Sequence, residues 1–223
     1  MKKYNIYLTI FVALVLLLYI PGAAFAGKIT GTVKVRGLRS PANILVYLTK
    51  APTVSIDLSK TKFVMDQQNL TFLPHVLPIP VGATVLFPNN DKVDHNVFSL
   101  SRSNKFNLGN YKPGERETVR FDNPGMVELR CDLHAEMLAY ILVLKNSYFA
   151  VTDAKGRFEI PNTKYSAKYG IPKIENLPAG KYTIKTWHEK LKTGRQKASV
   201  PDSGAVAIQW NLTRGTPSVL YKR

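Results

Sequence analysis

A single cysteine, Cys131, is all the thiol available to this chain of 223 residues, so no disulfide can form within one molecule and stability must come from burial. Histidine is nearly as scarce: His75, His95, His134 and His188 are the full set, and no His-x-His pair occurs. Acidic residues are outnumbered, with 15 Asp and Glu against 31 Lys and Arg, for a formal charge of +16. The cations are nevertheless scattered, without a dense tract or an aromatic-interleaved patch, which argues against a nucleic-acid partner and for an ordinary solvated surface. After Gly27 there is no amphipathic stretch of ordinary helical length, no run apolar enough to span a bilayer, no repeat and no low-complexity tract. Helical bundles and solenoids are thereby set aside.

What is present begins with a leader. Lys2 and Lys3 form a basic start, residues 6–20 an apolar run, and Ala24-Phe25-Ala26 a small-x-small cleavage pattern. Residues 1–26 are therefore expected to be a signal peptide, with the mature chain beginning near Gly27 and a bacterial periplasm as the destination. The alternative of an uncleaved anchor needs about 20 apolar residues, more than this run supplies before Pro21-Gly22. About 197 residues and a charge of +14 remain. Such a charge allows contact with an anionic membrane surface or cell wall once the protein is exported.

Period-two and β-branched runs dominate the remainder, at residues 28–35, 43–49, 84–87, 95–100, 118–121, 126–131, 139–144, 148–152, 157–160, 181–187 and 205–212. In the last of them Val206, Ile208, Trp210 and Leu212 share one face. Turn chemistry separates the runs at Pro113-Gly114, Asn123-Pro124-Gly125, Asp153-Ala154-Lys155-Gly156 and Pro178-Ala179-Gly180. This pattern predicts an all-β fold of sandwich type. Residues 51–61 read as a connection, and residues 162–175 as an exposed loop.

The chemistry concentrates in Cys131-Asp132-Leu133-His134-Ala135-Glu136-Met137, where thiolate, imidazole and thioether fall on one short loop. Sulfur ligands favour copper(I), and two histidines, a cysteine and a weak axial methionine form a blue-copper coordination set. His95 is the natural fourth ligand, because it opens a strand-like run after the polar turn Pro88-Asn89-Asn90-Asp91. Chain separation alone does not fix distance in space. Ligation also gives a lone thiol a reason to persist in an oxidising compartment.

The ordered set Phe72-Leu73-Pro74, residues 81–91, His95-Asn96, Pro113-Gly114-Glu115 and Cys131-x2-His134-x2-Met137 closely resembles the cupredoxin, or type 1 blue copper, family over residues 61–146. The short ligand loop is most similar to amicyanin; plastocyanin-like members usually have a longer interval before Met. The resemblance implies a Greek-key β-sandwich in which His95, Cys131 and His134 hold copper strongly and Met137 weakly. It also implies that Asn96 braces the two ligand loops and that His134, near the surface, passes the electron. Acidic Asp132 and Glu136 flank His134 where family members often carry apolar or proline residues. His75 and His188 have no assigned role: a lone loop histidine such as His75 is more often structural or solvated than a ligand, the alternatives being that it approaches the site or binds a second ion, and His188 lacks a partner at ligand spacing.

Residues 149–158 and 177–184, with their T-D-x-x-G-x-F turn and P-x-G-x-Y-x-I strand, look like a carboxypeptidase-regulatory-like (transthyretin-like) β-sandwich. Its expected first strands lie upstream, in residues 29–33 and 43–48, so residues 27–55 are expected to join 147–215 as a discontinuous second sandwich, with 216–223 as a basic tail. The implied function is single-electron transfer with an unidentified redox partner protein and no enzymatic turnover. The rival expectations are periplasmic copper storage or delivery, and a metal-free binding module. An oxidase or a nitrite-reducing enzyme would need more histidines than four.

Overall fold

The computed structural model describes residues 27–220 except 53, 172, 173, 175 and 219, so the signal peptide expected over 1–26 lies outside the described residues. Among the described residues the strands run in chain order as β1 (Gly27–Arg36), β2 (Leu45–Leu48), β3 (Phe63–Val64), β4 (Asp66–Gln68), β5 (Thr71–Leu73) and β6 (Val76–Pro80). They continue as β7 (Ala83–Pro88), β8 (His95–Ser99), β9 (Phe106–Tyr111), β10 (Arg116–Phe121), β11 (Gly125–Arg130) and β12 (Leu138–Leu144). The last are β13 (Phe149–Val151), β14 (Arg157–Ile160), β15 (Gly180–Trp187), β16 (Arg195–Val200) and β17 (Gly204–Thr213). Among the described residues one short α-helix, α1 (Thr163–Tyr169), lies between β14 and β15, and a single 3-10 turn covers Leu58–Lys60. The fold is all-β.

Four of the five sheets among the described residues stack in layers, and the burial pattern shows why. The sheet β10-β7-β3 faces the sheet β6-β12-β11-β8-β9 across a core that includes Phe63, Phe72, Phe87, Phe121, Val127 and Ile141. The sheet β13-β2-β15-β16 faces β14-β1-β17 across a second core that includes Ile29, Val46, Ile160, Ile184 and Trp210. A third cluster, with Leu45, Tyr47, Val76, Tyr140, Leu142, Phe149 and Trp187, lies between the two inner sheets. The two inner strands β2 and β12 are thus covered on both faces. Alternate residues of β12 enter different cores, Ala139, Ile141 and Val143 the first and Tyr140, Leu142 and Leu144 the third. That double burial is the reason both strands read as continuous apolar runs rather than as alternation.

β1 is the middle strand of its sheet, antiparallel to β14 and parallel to β17 over its whole length. Gly31 is required there: a Cβ would lie 2.2 Å from the Ile208 carbonyl oxygen and 2.6 Å from the Phe158 ring. β2 lies between β13 and β15, both antiparallel to it. The turn before β14 is built by Asp153, whose Oδ1 accepts from the N–H groups of Lys155 and Arg157 at 2.9 Å each. Gly156 in that turn has φ +76° and packs so close to β1 that a Cβ would meet the Val33 carbonyl oxygen at 2.1 Å.

Several elements differ from the sequence expectation. Within the segment expected as an exposed loop, residues 162–170 instead form a capped helix: Asn162 caps α1 by accepting the Tyr165 N–H, and Ser166 and Tyr169 are buried. Tyr169 stacks on Phe63 at 5.4 Å, so this segment belongs to the first core. β6 is missed by pattern because Pro78 and Pro80 occupy it; prolines are tolerated because β6 is an edge strand, paired only with β12. β3, β4, β5, β9 and β16 are short or polar and carry no clear period. In the C-terminal segment, Leu220 is buried and its carbonyl accepts from the Tyr47 hydroxyl at 3.4 Å. Among the described residues no helix is long and apolar enough to cross a membrane.

Candidate metal centre

His95 opens β8 and Cys131 directly follows β11, and these strands are neighbours in one sheet, with Arg130 opposite Phe98. Their pairing carries the two side chains to the same end of the sandwich, although they are far apart in the chain. His134 and Met137 come from the turn between β11 and β12, which closes when the Met137 N–H donates to the His134 carbonyl at 3.1 Å. His95 is fully buried, Cys131 is 5% exposed, Met137 is 1% exposed, and His134 is the half-buried member of the group. Met137 belongs to the same buried cluster as Cys131.

Three donor atoms converge. His95 Nδ1 lies 3.1 Å from His134 Nδ1. Cys131 Sγ lies 4.0 Å from His95 Nδ1 and 3.8 Å from His134 Nδ1. A metal held at about 2.0–2.1 Å from nitrogen and about 2.3 Å from sulfur, with trigonal angles, separates its donors by about 3.6 Å (N to N) and about 3.8 Å (N to S). The triangle is thus already near the size a first-row ion requires. Two soft or borderline nitrogen donors and one thiol also suit copper or zinc better than calcium or magnesium.

Asp91 decides which His95 nitrogen faces inward. Its Oδ2 lies 3.1 Å from His95 Nε2, and a carboxylate can only accept, so Nε2 carries the proton and Nδ1 presents a lone pair to the triangle. Asp91 is itself held, because Oδ2 accepts the Leu70 N–H at 2.7 Å and Oδ1 the Lys92 N–H at 2.8 Å. The Leu70 N–H above all, aided by that of Lys92 and by the His95 ring, holds this carboxyl at about 2, against the burial that would raise it. Leu70 is available because the β4–β5 hairpin turns through Asn69 and Leu70 with φ +53° and +57°. An apolar side chain in that left-handed region costs about 1–2 kcal/mol.

Asn96 links the strand to the loop. Its backbone N–H points at Cys131 Sγ at 3.5 Å, its Oδ1 accepts from the Asp132 N–H at 3.4 Å, and its Nδ2 donates to Asn107 Oδ1 at 2.8 Å. Asp132, Leu133 and Glu136 are exposed around His134. His75 and His188 are not in the triangle; both meet Glu189, at 3.2 Å and 3.3 Å respectively. Sequence reasoning missed Asp91 and Glu189. The signal available for Asp91 was a carboxylate four residues before a strand-opening histidine, and for Glu189 there was none.

Fold and site together define an all-β protein of stacked sheets with a largely buried His-Cys-His triangle at one end of the sheet that holds β8 and β11. No protein-family model matches the chain, and no curated protein does. Among solved structures it is similar to a purple cupredoxin from Nitrosopumilus maritimus, 25% identical, over 37% of this chain and 100% of that one, with a TM-score of 0.34. It is similar to a copper-containing nitrite reductase from Thermus scotoductus SA-01, 25% identical, over 50% of this chain and 28% of that one, with a TM-score of 0.37. A copper(I) amicyanin variant is 19% identical, over 43% of this chain and 97% of that one, with a TM-score of 0.35.

Proposed function

We propose that the protein is an exported one-electron carrier with a mononuclear copper centre, in which His95, Cys131 and His134 are the strong ligands and Met137 the weak axial one. The single observation that carries this reading is the convergence of the three donors on a triangle of 3.1, 3.8 and 4.0 Å. Copper bound there supplies a one-electron change between its two oxidation states. The chain's own contribution is positional. Asp91 fixes the His95 tautomer, Asn96 holds the thiol and the residue after it, and the packed strands keep the donors in place whatever the charge of the ion. Copper needs Cys131 as thiolate and Nδ1 of both histidines free of a proton, so copper retention weakens as pH falls.

The leader and the lone thiol support a periplasmic location. His134, least buried of the three strong ligands, is the proposed exit for the electron, toward a redox partner that meets Asp132, Leu133 and Glu136. We assign the centre no substrate chemistry. The second sandwich is proposed to be the carboxypeptidase-regulatory-like module that the strand motifs resemble, with a structural or partner-binding role.

The test is addition of copper(II) to the mature protein. The expected result is an intense visible thiolate-to-copper band saturating at one equivalent, with a reversible one-electron wave. No band rules out the blue-copper assignment, and a band with ready loss to chelators and no accessible potential favours storage or delivery. Asp91→Asn should lower copper affinity by roughly 10–100-fold, measured by chelator competition, because the second partner of a ligating histidine has that order of effect. Unchanged affinity would show that the His95 tautomer is set by other groups.

A further inference from the structure

We propose that Glu189, carried by the second sandwich, is a positioning residue for the metal centre of the first, acting through His75 on the Leu138 carbonyl that follows Met137. This rests on the copper reading above. Glu189 sits just past the end of β15, and its side chain is only 11% exposed. Its Oε1 lies 3.2 Å from His75 Nε2, and the other ring nitrogen, His75 Nδ1, lies 3.2 Å from the Leu138 carbonyl oxygen. Carboxylate and carbonyl both only accept. To satisfy the two together, His75 must donate from both nitrogens and so carry a positive charge. Its pKa is correspondingly raised, chiefly by the hydrogen bond to Glu189, against burial and against nearby Lys190.

The location gives this ion pair its consequence. β6 joins β12 from Val76 opposite Tyr140, and the Tyr140 N–H donates to the His75 carbonyl at 2.9 Å. One step nearer the ligand loop there is no β6 backbone left, and the His75 ring takes over as partner of the Leu138 carbonyl. Leu138 is the first residue of β12 after Met137, and its partner across the ladder is Arg130, the residue before Cys131. The base of the ligand loop is therefore closed on one side by β11 and on the other by a side chain whose charge depends on the neighbouring sandwich. His188 does not compete for this role. Its Nδ1 lies 3.3 Å from Glu189 Oε2 but accepts the Lys190 N–H at 3.1 Å, so it makes no hydrogen bond to that oxygen, and burial keeps its pKa below the usual value. The same interface seats Tyr140 edge-on between His75, at 5.7 Å, and Trp187, at 5.1 Å. A single amino acid of the second sandwich thus sets the charge of the side chain that holds the Leu138 carbonyl at the base of the metal loop.

The experiment uses the full mature chain with the isosteric Glu189→Gln, with His75→Phe, which keeps a ring against Tyr140, and with both together. Glu159→Gln, which breaks the Lys28–Glu159 pair of 2.8 Å elsewhere in the second sandwich, is the control. Two readouts are taken: the Met137 methyl resonance of the metal-free protein, and the position of the thiolate-to-copper band with the rate of copper loss to a chelator. The expected result is a displaced Met137 resonance, a shifted band and loss on the order of tenfold faster in each single variant, with no further change in the double variant and none in the control. A Met137 resonance and band that stay in place in both single variants, even with reduced thermal stability, overturn the positioning role. A wild-type protein that develops no visible band overturns the copper reading itself.

Discussion

Cys131→Ser will abolish the visible band of the copper-loaded protein and lower its copper affinity by about a hundredfold. Both effects follow from what sulfur contributes. The band is a charge transfer from thiolate to metal, and a serine hydroxyl neither ionises at neutral pH nor offers a soft donor. If a four-ligand site binds with about 10–16 kcal/mol, the loss of one ligand removes about a quarter of it, roughly 3 kcal/mol or a hundredfold. The fold should survive. Cys131 is 5% exposed at the end of a strand, serine is close to it in size, and the Asn96 N–H that now points at the sulfur can donate to the hydroxyl instead. A chelator competition read alongside the visible spectrum and a circular dichroism melt separates the two consequences. Retention of the band in Cys131→Ser would place the chromophore elsewhere and remove the basis of the proposed function.

The second large effect concerns stability. Trp187→Ala should cost about 3–5 kcal/mol, the range for deleting a buried aromatic side chain. Trp187 is 3% exposed in the cluster between the two inner sheets, edge-on to Tyr140, and it immediately precedes His188 and Glu189. Its removal opens a cavity in the layer that joins the sandwiches, in a region where the β2 and β12 backbones on either side cannot collapse without disturbing two cores at once. Calorimetry should show a midpoint lower by roughly 6–20 °C. Trp187→Phe should retain most of the stability. A loss below about 1 kcal/mol in Trp187→Ala would mean that the layer is not a shared core.

Legibility in the sequence divided along physical lines. Strands with one buried face, such as β17 with Ile208, Trp210 and Leu212 inward, announce themselves by alternation. β2 and β12 are visible as apolar runs, but the reason for the runs, burial on both faces, is a property of stacked sheets. Segments whose stability comes from contacts distant in sequence carried no local signal. The α1 helix is only seven residues long and is held by Tyr165 and Tyr169 packing on the first core. The β4–β5 hairpin turns through Asn-Leu instead of the Asn-Gly that would have marked it. At the site, residue type singled out Cys131, His134 and Met137, because soft donors are rare in this chain and these three sit on one short loop, whereas His95 stood out by opening a strand-like run. Asp91 carried only a weak signal, a carboxylate four residues before His95, and Asp94 is closer still in the chain.

The sequence by itself thus determined the all-β class, the positions of most long strands, and the identity of the donors that can take a soft metal. These depend on local periodicity and on the chemistry of individual side chains, both of which are written along the chain. Only the tertiary structure decided that β8 and β11 lie side by side, so that His95 comes within 4.0 Å of a thiol 36 residues away. It alone decided that Asp91 lies against the Nε2 of His95, and that Glu189 meets His75, whose other nitrogen meets the Leu138 carbonyl. Those relations depend on strand order and on which faces are buried together, and that order is set by the collective burial of many apolar residues, which no single stretch encodes.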